Sequence, residues 1–177
     1  RRVLVDADTL TSPMNPSRLK EGLEKWGQVF YQFFGQSEAP MVLANMTRGD
    51  HDLSKPERLS SCGRPSPWVH MALLDTDGNR APKGEPGEIC VRGPLVMKGY
   101  KDMPEQTAEA FAGGWLHTGD IGRLDEDGFL YIVDRTKDMI VTGGFNVFPR
   151  EVEDVLGTHE AVAQVVVIGV PDEQWGE

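Results

Sequence analysis

Cysteine is nearly absent. Cys62 and Cys90 are the only two in 177 residues, they lie 28 positions apart, and no Cys-x-x-Cys occurs. That excludes a disulfide-stapled mini-protein. It also leaves no set of about four closely spaced ligands for a structural zinc. Histidine is scarce too: His51, His70, His117 and His159 fall in no ligand spacing and are expected to be structural or surface residues. No apolar run approaches the roughly 18 residues of a membrane-crossing helix, and no basic-then-apolar leader opens the chain. Cations number 18 against 28 acids, for a net charge of -10. Such an excess repels a polyphosphate backbone, so no nucleic-acid partner is expected. Two unpatterned cysteines fit a reducing compartment, which makes the cytoplasm the expected location.

What remains is the composition of a globular chain with a real core: 39% hydrophobic and 26% charged residues. Gly 20 and Pro 12 make turns frequent, without repeats or low-complexity tracts. The charge is uneven. Over 137–177, Lys137 and Arg150 face Asp138, Glu151, Glu153, Asp154, Glu160, Asp172, Glu173 and Glu177, a run expected to form a solvated surface.

Periodicity places a short amphipathic helix over 17–26, with Ser17 as N-cap, Leu19, Leu23 and Trp26 on one face, and Gly27 as its stop. A buried strand follows over 29–34. From about Ser60, short strands and turns alternate: 69–74, 88–92, 95–100, 115–124 and 129–134, with turns at Asp77-Gly78-Asn79 and Asp125–Gly128. Pro104 opens a helix over 105–111, which Gly113-Gly114 ends. Strands at this spacing predict a small barrel or sandwich. Past Asp134 the pattern changes to an apolar Met139–Val141, a turn at Gly143-Gly144, a helix begun by Pro149, and an apolar strand over 162–170. A domain boundary is expected at 135–138.

Each polar cluster taken alone has two readings. Gly35-Gln36-Ser37-Glu38 either ends a strand or offers a hydroxyl and a carboxylate to a phosphate and its Mg²⁺. Asp120, after Thr118-Gly119, either caps a turn or accepts bonds from a ribose. Asp134-Arg135 reads as an exposed pair of little energetic weight.

The ordered combination is more specific. Trp115-Leu-His-Thr-Gly-Asp120, Gly128-Phe-Leu-Tyr-Ile-Val-Asp-Arg135, Lys137-Asp-Met-Ile140, Gly143-Gly-Phe-Asn146 and Pro149-Arg-Glu-Val-Glu153 resemble the adenylate-forming superfamily, on its acyl- or aryl-CoA ligase branch. Phe33-Phe34-Gly35-Gln36-Ser37-Glu38 is similar to the family's aromatic-Gly-x-Thr-Glu motif, with Ser37 in the threonine position. Gly169–Glu177 matches the family's ending of a strand. The resemblance covers 13–177.

The resemblance implies an α+β fold. The end of a large AMP-binding domain, including a small β-barrel-like subdomain, would occupy 1–136. The start of a mobile α/β C-terminal domain would follow over 137–177. The implied reaction converts a carboxylic acid to an acyl-adenylate with Mg·ATP and then to an acyl-CoA. By position, Phe34 and Gly35 would border the adenine, Ser37 would bond the α-phosphate, and Glu38 would ligate Mg²⁺. Asp120 and Arg135 would hold the ribose, Lys137 would be the hinge, and Gly143 and Gly144 would line the CoA passage. The family's Pro-Lys-Gly phosphate loop and its late catalytic lysine are not found in these residues, so a central piece of a longer ligase, inactive alone, is expected. The alternatives are a fatty acyl-AMP ligase, a luciferase-like enzyme, or a truncated binding module. At 5–11, where related ligases carry a Gly-Ala-rich stretch, this chain reads Val-Asp-Ala-Asp-Thr-Leu-Thr.

Overall fold

The computed structural model describes residues 3–6, 16–159 and 161–177. Most of the unusual N-terminal stretch (7–11), the start of the family resemblance (13–15) and Glu160 lie outside them.

The chain is a mixed α+β protein of two four-stranded sheets and one hairpin. In the first sheet, β1 (Val3–Asp6) pairs parallel with β2 (Phe30–Gln36). The strand β3 (Ala39–Met46) and the short β4 (Arg64–Pro65) continue it antiparallel. Helix α1 (Pro16–Trp26) covers one end of this sheet. Leu19 and Leu23 are buried there with Phe30, Met46 and Leu59. Each such leucine is worth about 1.5–3 kcal/mol in transfer from water. Ser17 lies in the helix's first turn rather than at its N-cap, because Pro16 already begins the helix. Trp26 is exposed, its ring tilted against that of Phe30 with the centroids 6.0 Å apart.

The second sheet is an antiparallel meander: β5 (His70–Leu74), β6 (Gly87–Arg92), β7 (Leu116–Leu124) and β8 (Leu130–Arg135). It is open, not a closed barrel. Its link to the first sheet is the strip at Cys62-Gly63. There, Cys62 N–H donates to the Leu130 carbonyl and Leu130 N–H to that of Gly63, each at 2.8 Å. A Cβ on Gly63 would lie 1.9 Å from the Asn45 carbonyl oxygen, so only glycine lets the two backbones approach. One core spans both sheets: Leu43, Ala44, Ile89, Val91, Leu116 and Leu130 meet in it.

Helix α2 (Pro104–Ala110) lies between β6 and β7. Past β8, β9 (Ile140–Thr142) and β10 (Phe145–Val147) form a hairpin, and helix α3 (Pro149–Leu156) follows. Among the described residues, no helix is long and apolar enough to cross a membrane.

Two expected strands do not form. Residues 95–100 run as irregular chain after Pro94, which itself offers no N–H. The donors that remain go elsewhere: Val96 N–H closes a turn on Gly93 and Met97 N–H reaches the Glu38 carbonyl at 2.7 Å. The apolar run 162–170 pairs with no strand among the described residues. Val166, Ile168 and Val170 stand exposed, and Val167 N–H donates to the Glu153 carboxylate instead. Apolar alternation yields a strand only where a partner supplies the ladder.

His51 is fully buried, its ring nitrogens bonding the Thr47 carbonyl (2.7 Å) and the Gln32 side-chain amide (3.0 Å). Burial holds its pKa below the ordinary histidine value. The unfolded chain therefore takes up this proton first as pH falls below about 6.5, and stability declines there by up to ~1.4 kcal/mol per pH unit. Urea midpoints across that range, compared with His51→Gln, should show the variant losing this part of the slope.

Candidate functional site

The hairpin between β2 and β3 carries the first group. Gln36 pairs with Ala39, so Ser37 and Glu38 are its two turn residues, and a register shift between Phe34 and Gln36 puts Gly35 at an irregularity in the strand. Ser37 is exposed and Glu38 partly so. One Glu38 oxygen accepts the Tyr100 hydroxyl at 2.9 Å. That bond, more than burial, pushes the Tyr100 phenol up and keeps it a proton donor. Phe34 is turned inward, 6% exposed, among Ala39, Leu43 and Leu116. It can form a floor beneath a ligand but not an open stacking face.

The second group sits where β7 meets β8. Asp120 lies directly opposite Arg135 in the ladder, and the guanidinium Nε is 3.5 Å from the Asp120 carboxylate. The bulged stretch of β7 before Asp120 is held from several sides. Thr118 Oγ1 donates to the Ile89 carbonyl (2.7 Å) and accepts Asp120 N–H (3.2 Å). Gly119 N–H donates to Glu88 Oε1 (3.0 Å), and the Gly119 carbonyl accepts Thr136 N–H (2.9 Å). The other Glu88 oxygen is 2.7 Å from His117 Nδ1.

Glu88, Cys90 and His117 thus bring donor atoms within 4.8 Å of one another. Hydrogen bonds account for this grouping. His117 Nδ1 faces Glu88, and Nε2 faces the Ala112 carbonyl at 3.2 Å. Burial pushes the Cys90 thiol up to about 12, so it is neutral in this arrangement. Cys62 is likewise pushed up to about 12 by burial, and neither cysteine is bridged. Glu88→Ala leaves Gly119 N–H and His117 without their acceptor. It should cost about 1–3 kcal/mol, read as a shifted denaturant midpoint.

The third group follows β8. Asp134 is not part of an exposed pair. It is 8% exposed, and its two oxygens accept Arg135 N–H (2.8 Å) and Arg150 N–H (3.0 Å). The second bond ties α3's first turn back to β8, where a carboxylate suits unpaired helix donors. Lys137 is exposed in a turn closed by Asp138 and Met139 N–H on the Arg135 carbonyl. Gly143 and Gly144, with φ of 55° and 84°, form the two-residue turn between β9 and β10. Trp175 covers Gly143 so closely that a Cβ there would meet its ring at 2.7 Å, while the Cβ direction of Gly144 is open.

Comparison with known proteins gives the family. The AMP-binding enzyme family model matches residues 2–101, and that of the AMP-binding enzyme C-terminal domain matches 151–177. The chain belongs to the AMP-binding enzyme family. A family relative, the medium/long-chain-fatty-acid–CoA ligase of Mycobacterium tuberculosis, is 59% identical over 166 residues, 94% of this chain. Among solved family structures, the amide bond synthetase McbA of Marinactinospora thermotolerans superimposes with a TM-score of 0.84 at 41% identity over 99% of this chain. The o-succinylbenzoate CoA synthetase of Bacillus subtilis, in complex with ATP and magnesium, gives 0.79 at 35% identity, also over 99%. The chain spans 28% of the first relative's length and 35% of each solved chain.

Phe34, Gly35, Ser37 and Glu38 fall inside the first matched region. Asp120, Arg135, Lys137, Gly143 and Gly144 fall between the two. The structure brings Asp120 to Arg135 and Glu38 to Tyr100. Sequence reading missed Tyr100, Glu88, Asp134 and Trp175 as parts of this framework. Only for Tyr100 was there a local signal: Gly99 before it and Pro104 after it argue against a strand at that point.

Proposed function

We propose that these residues carry part of the nucleotide site and the hinge of an ATP-dependent acid–CoA ligase, acting in the cytoplasm on a fatty acid. The observation that carries the reading is the Asp120–Arg135 pair, set across β7 and β8 immediately before the turn at Lys137. A carboxylate and a guanidinium side by side offer an acceptor and donors to the two hydroxyls of a ribose. The contact positions the nucleotide for attack.

In the first half-reaction a substrate carboxylate oxygen attacks the α-phosphorus of ATP, and pyrophosphate leaves with the electrons of the broken P–O bond. Ser37 offers a hydroxyl to the α-phosphate. A carboxylate beside a hydroxyl on an exposed turn suits Mg²⁺, which takes few protein ligands and shares phosphate oxygens. Glu38 would hold the ion, which neutralises charge developing on the phosphates. In the second half-reaction the CoA thiolate attacks the acyl carbon and AMP leaves. The open side of Gly144 leaves room for a narrow ligand arm, with Gly143 against Trp175 behind it. The large domain would end at 136 and the mobile one begin at 137. In support, Thr136 N–H is still bonded to Gly119, whereas Asp138 and Met139 N–H turn back to the Arg135 carbonyl.

The test is the full-length gene product with ATP, Mg²⁺, CoA and a panel of carboxylic acids. Acyl-CoA and AMP should form in equal amounts, and no acid-dependent AMP release would refute the reading. A second reading, adenylation with another acceptor, is favoured by the likeness to an amide bond synthetase. It predicts hydroxylamine-trapped acyl-adenylate with CoA left unconsumed.

A further inference from the structure

We propose that Tyr100 is a positioning residue for Glu38: its phenol fixes one carboxylate oxygen and leaves the other turned to a magnesium ion held with the nucleotide phosphates. This rests on the reading of Glu38 as the magnesium ligand.

Glu38 occupies a two-residue turn and is partly exposed, and the side-chain bond it makes runs outside its own hairpin. The confinement comes from residues far along the chain. Met97 N–H donates to the Glu38 carbonyl at 2.7 Å, and Tyr100 Oη donates to Glu38 Oε1 at 2.9 Å. One segment therefore holds both the backbone and the side chain of the same residue.

That segment is itself anchored. Tyr100 N–H donates to Thr107 Oγ1 at 2.9 Å, and the same hydroxyl donates to the Met103 carbonyl at 2.7 Å. Gly99 packs so tightly on Thr107 that a Cβ there would lie 2.7 Å from its methyl group. The start of α2 thus acts as a bracket for Tyr100, and Tyr100 as a bracket for Glu38. The ring is 37% exposed, so core burial does not explain its placement. Its hydroxyl contact does. The geometry also explains why 95–100 leaves the sheet: a strand would spend these donors on a ladder.

A carboxylate that must ligate an ion gains from having its second oxygen hydrogen-bonded. The ligand is then oriented before the ion arrives, and losing such a partner lowers metal affinity. The phosphates share the ion here, so the loss belongs at the lower end of the known range, about tenfold.

The test uses the full-length gene product and its Tyr100→Phe and Glu38→Gln variants. Calorimetry of ATP binding at a series of Mg²⁺ concentrations gives the half-saturating Mg²⁺, and AMP binding without metal is measured beside it. Tyr100→Phe should raise half-saturating Mg²⁺ by about tenfold and Glu38→Gln by at least as much, with AMP affinity unchanged in both. A shift in Glu38→Gln but less than twofold in Tyr100→Phe overturns the role of Tyr100 and leaves Glu38 in place. No shift in Glu38→Gln overturns the Glu38 reading, and this proposal with it. Loss of AMP affinity in Tyr100→Phe shows that the tyrosine merely supports the fold, which also overturns the proposal.

Discussion

Replacing Asp120 by alanine in the full-length protein should slow acid-dependent ATP–pyrophosphate exchange by on the order of a hundredfold or more. The carboxylate would accept bonds from both ribose hydroxyls, and bonds to a charged acceptor are each worth about 1.5–3 kcal/mol. Two of them correspond to at least two powers of ten. The change should leave the protein folded. The Arg135 side chain is about half exposed, so water takes up much of its charge when its neighbour is lost. The bulged stretch of β7 around Asp120 is held by backbone and by Glu88 and Thr118, which the substitution spares. Asp120→Asn, which keeps an acceptor without the charge, should fall between the two. An unchanged melting temperature with lost exchange supports the ribose role. Unchanged exchange refutes it.

Lys137→Pro should separate the two half-reactions. Proline locks its own φ and drives the preceding residue, Thr136, toward extended conformations. The bonds that shape the turn, from Thr136 N–H to Gly119 and from Asp138 and Met139 N–H to Arg135, do not use the Lys137 N–H. The substitution therefore removes none of these donors, although it strains the turn they close. A hinge works through the few residues that absorb a φ/ψ change, so a locked one hinders passage between conformations. Pyrophosphate exchange should stay within about threefold while thioester formation drops at least tenfold. Lys137→Ala, which removes the charge but leaves the backbone free, is the control. Equal loss of both half-reactions in the proline variant, or an equal effect of alanine, argues against a pivot at this position.

Local chemistry accounts for much of what was legible. α1 announces itself by apolar spacing, and α2 and α3 by Pro104 and Pro149 at their starts. The meander β5–β8 and the glycine turn at 143–144 follow from alternation and turn residues. Asp120 and Arg135 could be singled out because their motifs are contiguous. Periodicity misled where a strand needs a partner that local sequence does not specify, as at 95–100 and 162–170. It also misled where a side chain's partner lies far along the chain. Asp134 looks exposed beside Arg135, yet its carboxylate turns inward to Arg150.

The order of motifs along the chain was therefore enough to determine the family, the three helices, the turn chemistry and which polar residues to watch. Those features depend on contacts between near neighbours or on the chain's own conformational limits. Tertiary structure alone decided that Glu88 grips the bulge before Asp120, that Tyr100 reaches Glu38 across 62 positions, and that Trp175 covers Gly143. Hydrogen bonds and close packing of that kind are fixed by strand register and loop path, which no local stretch of sequence encodes.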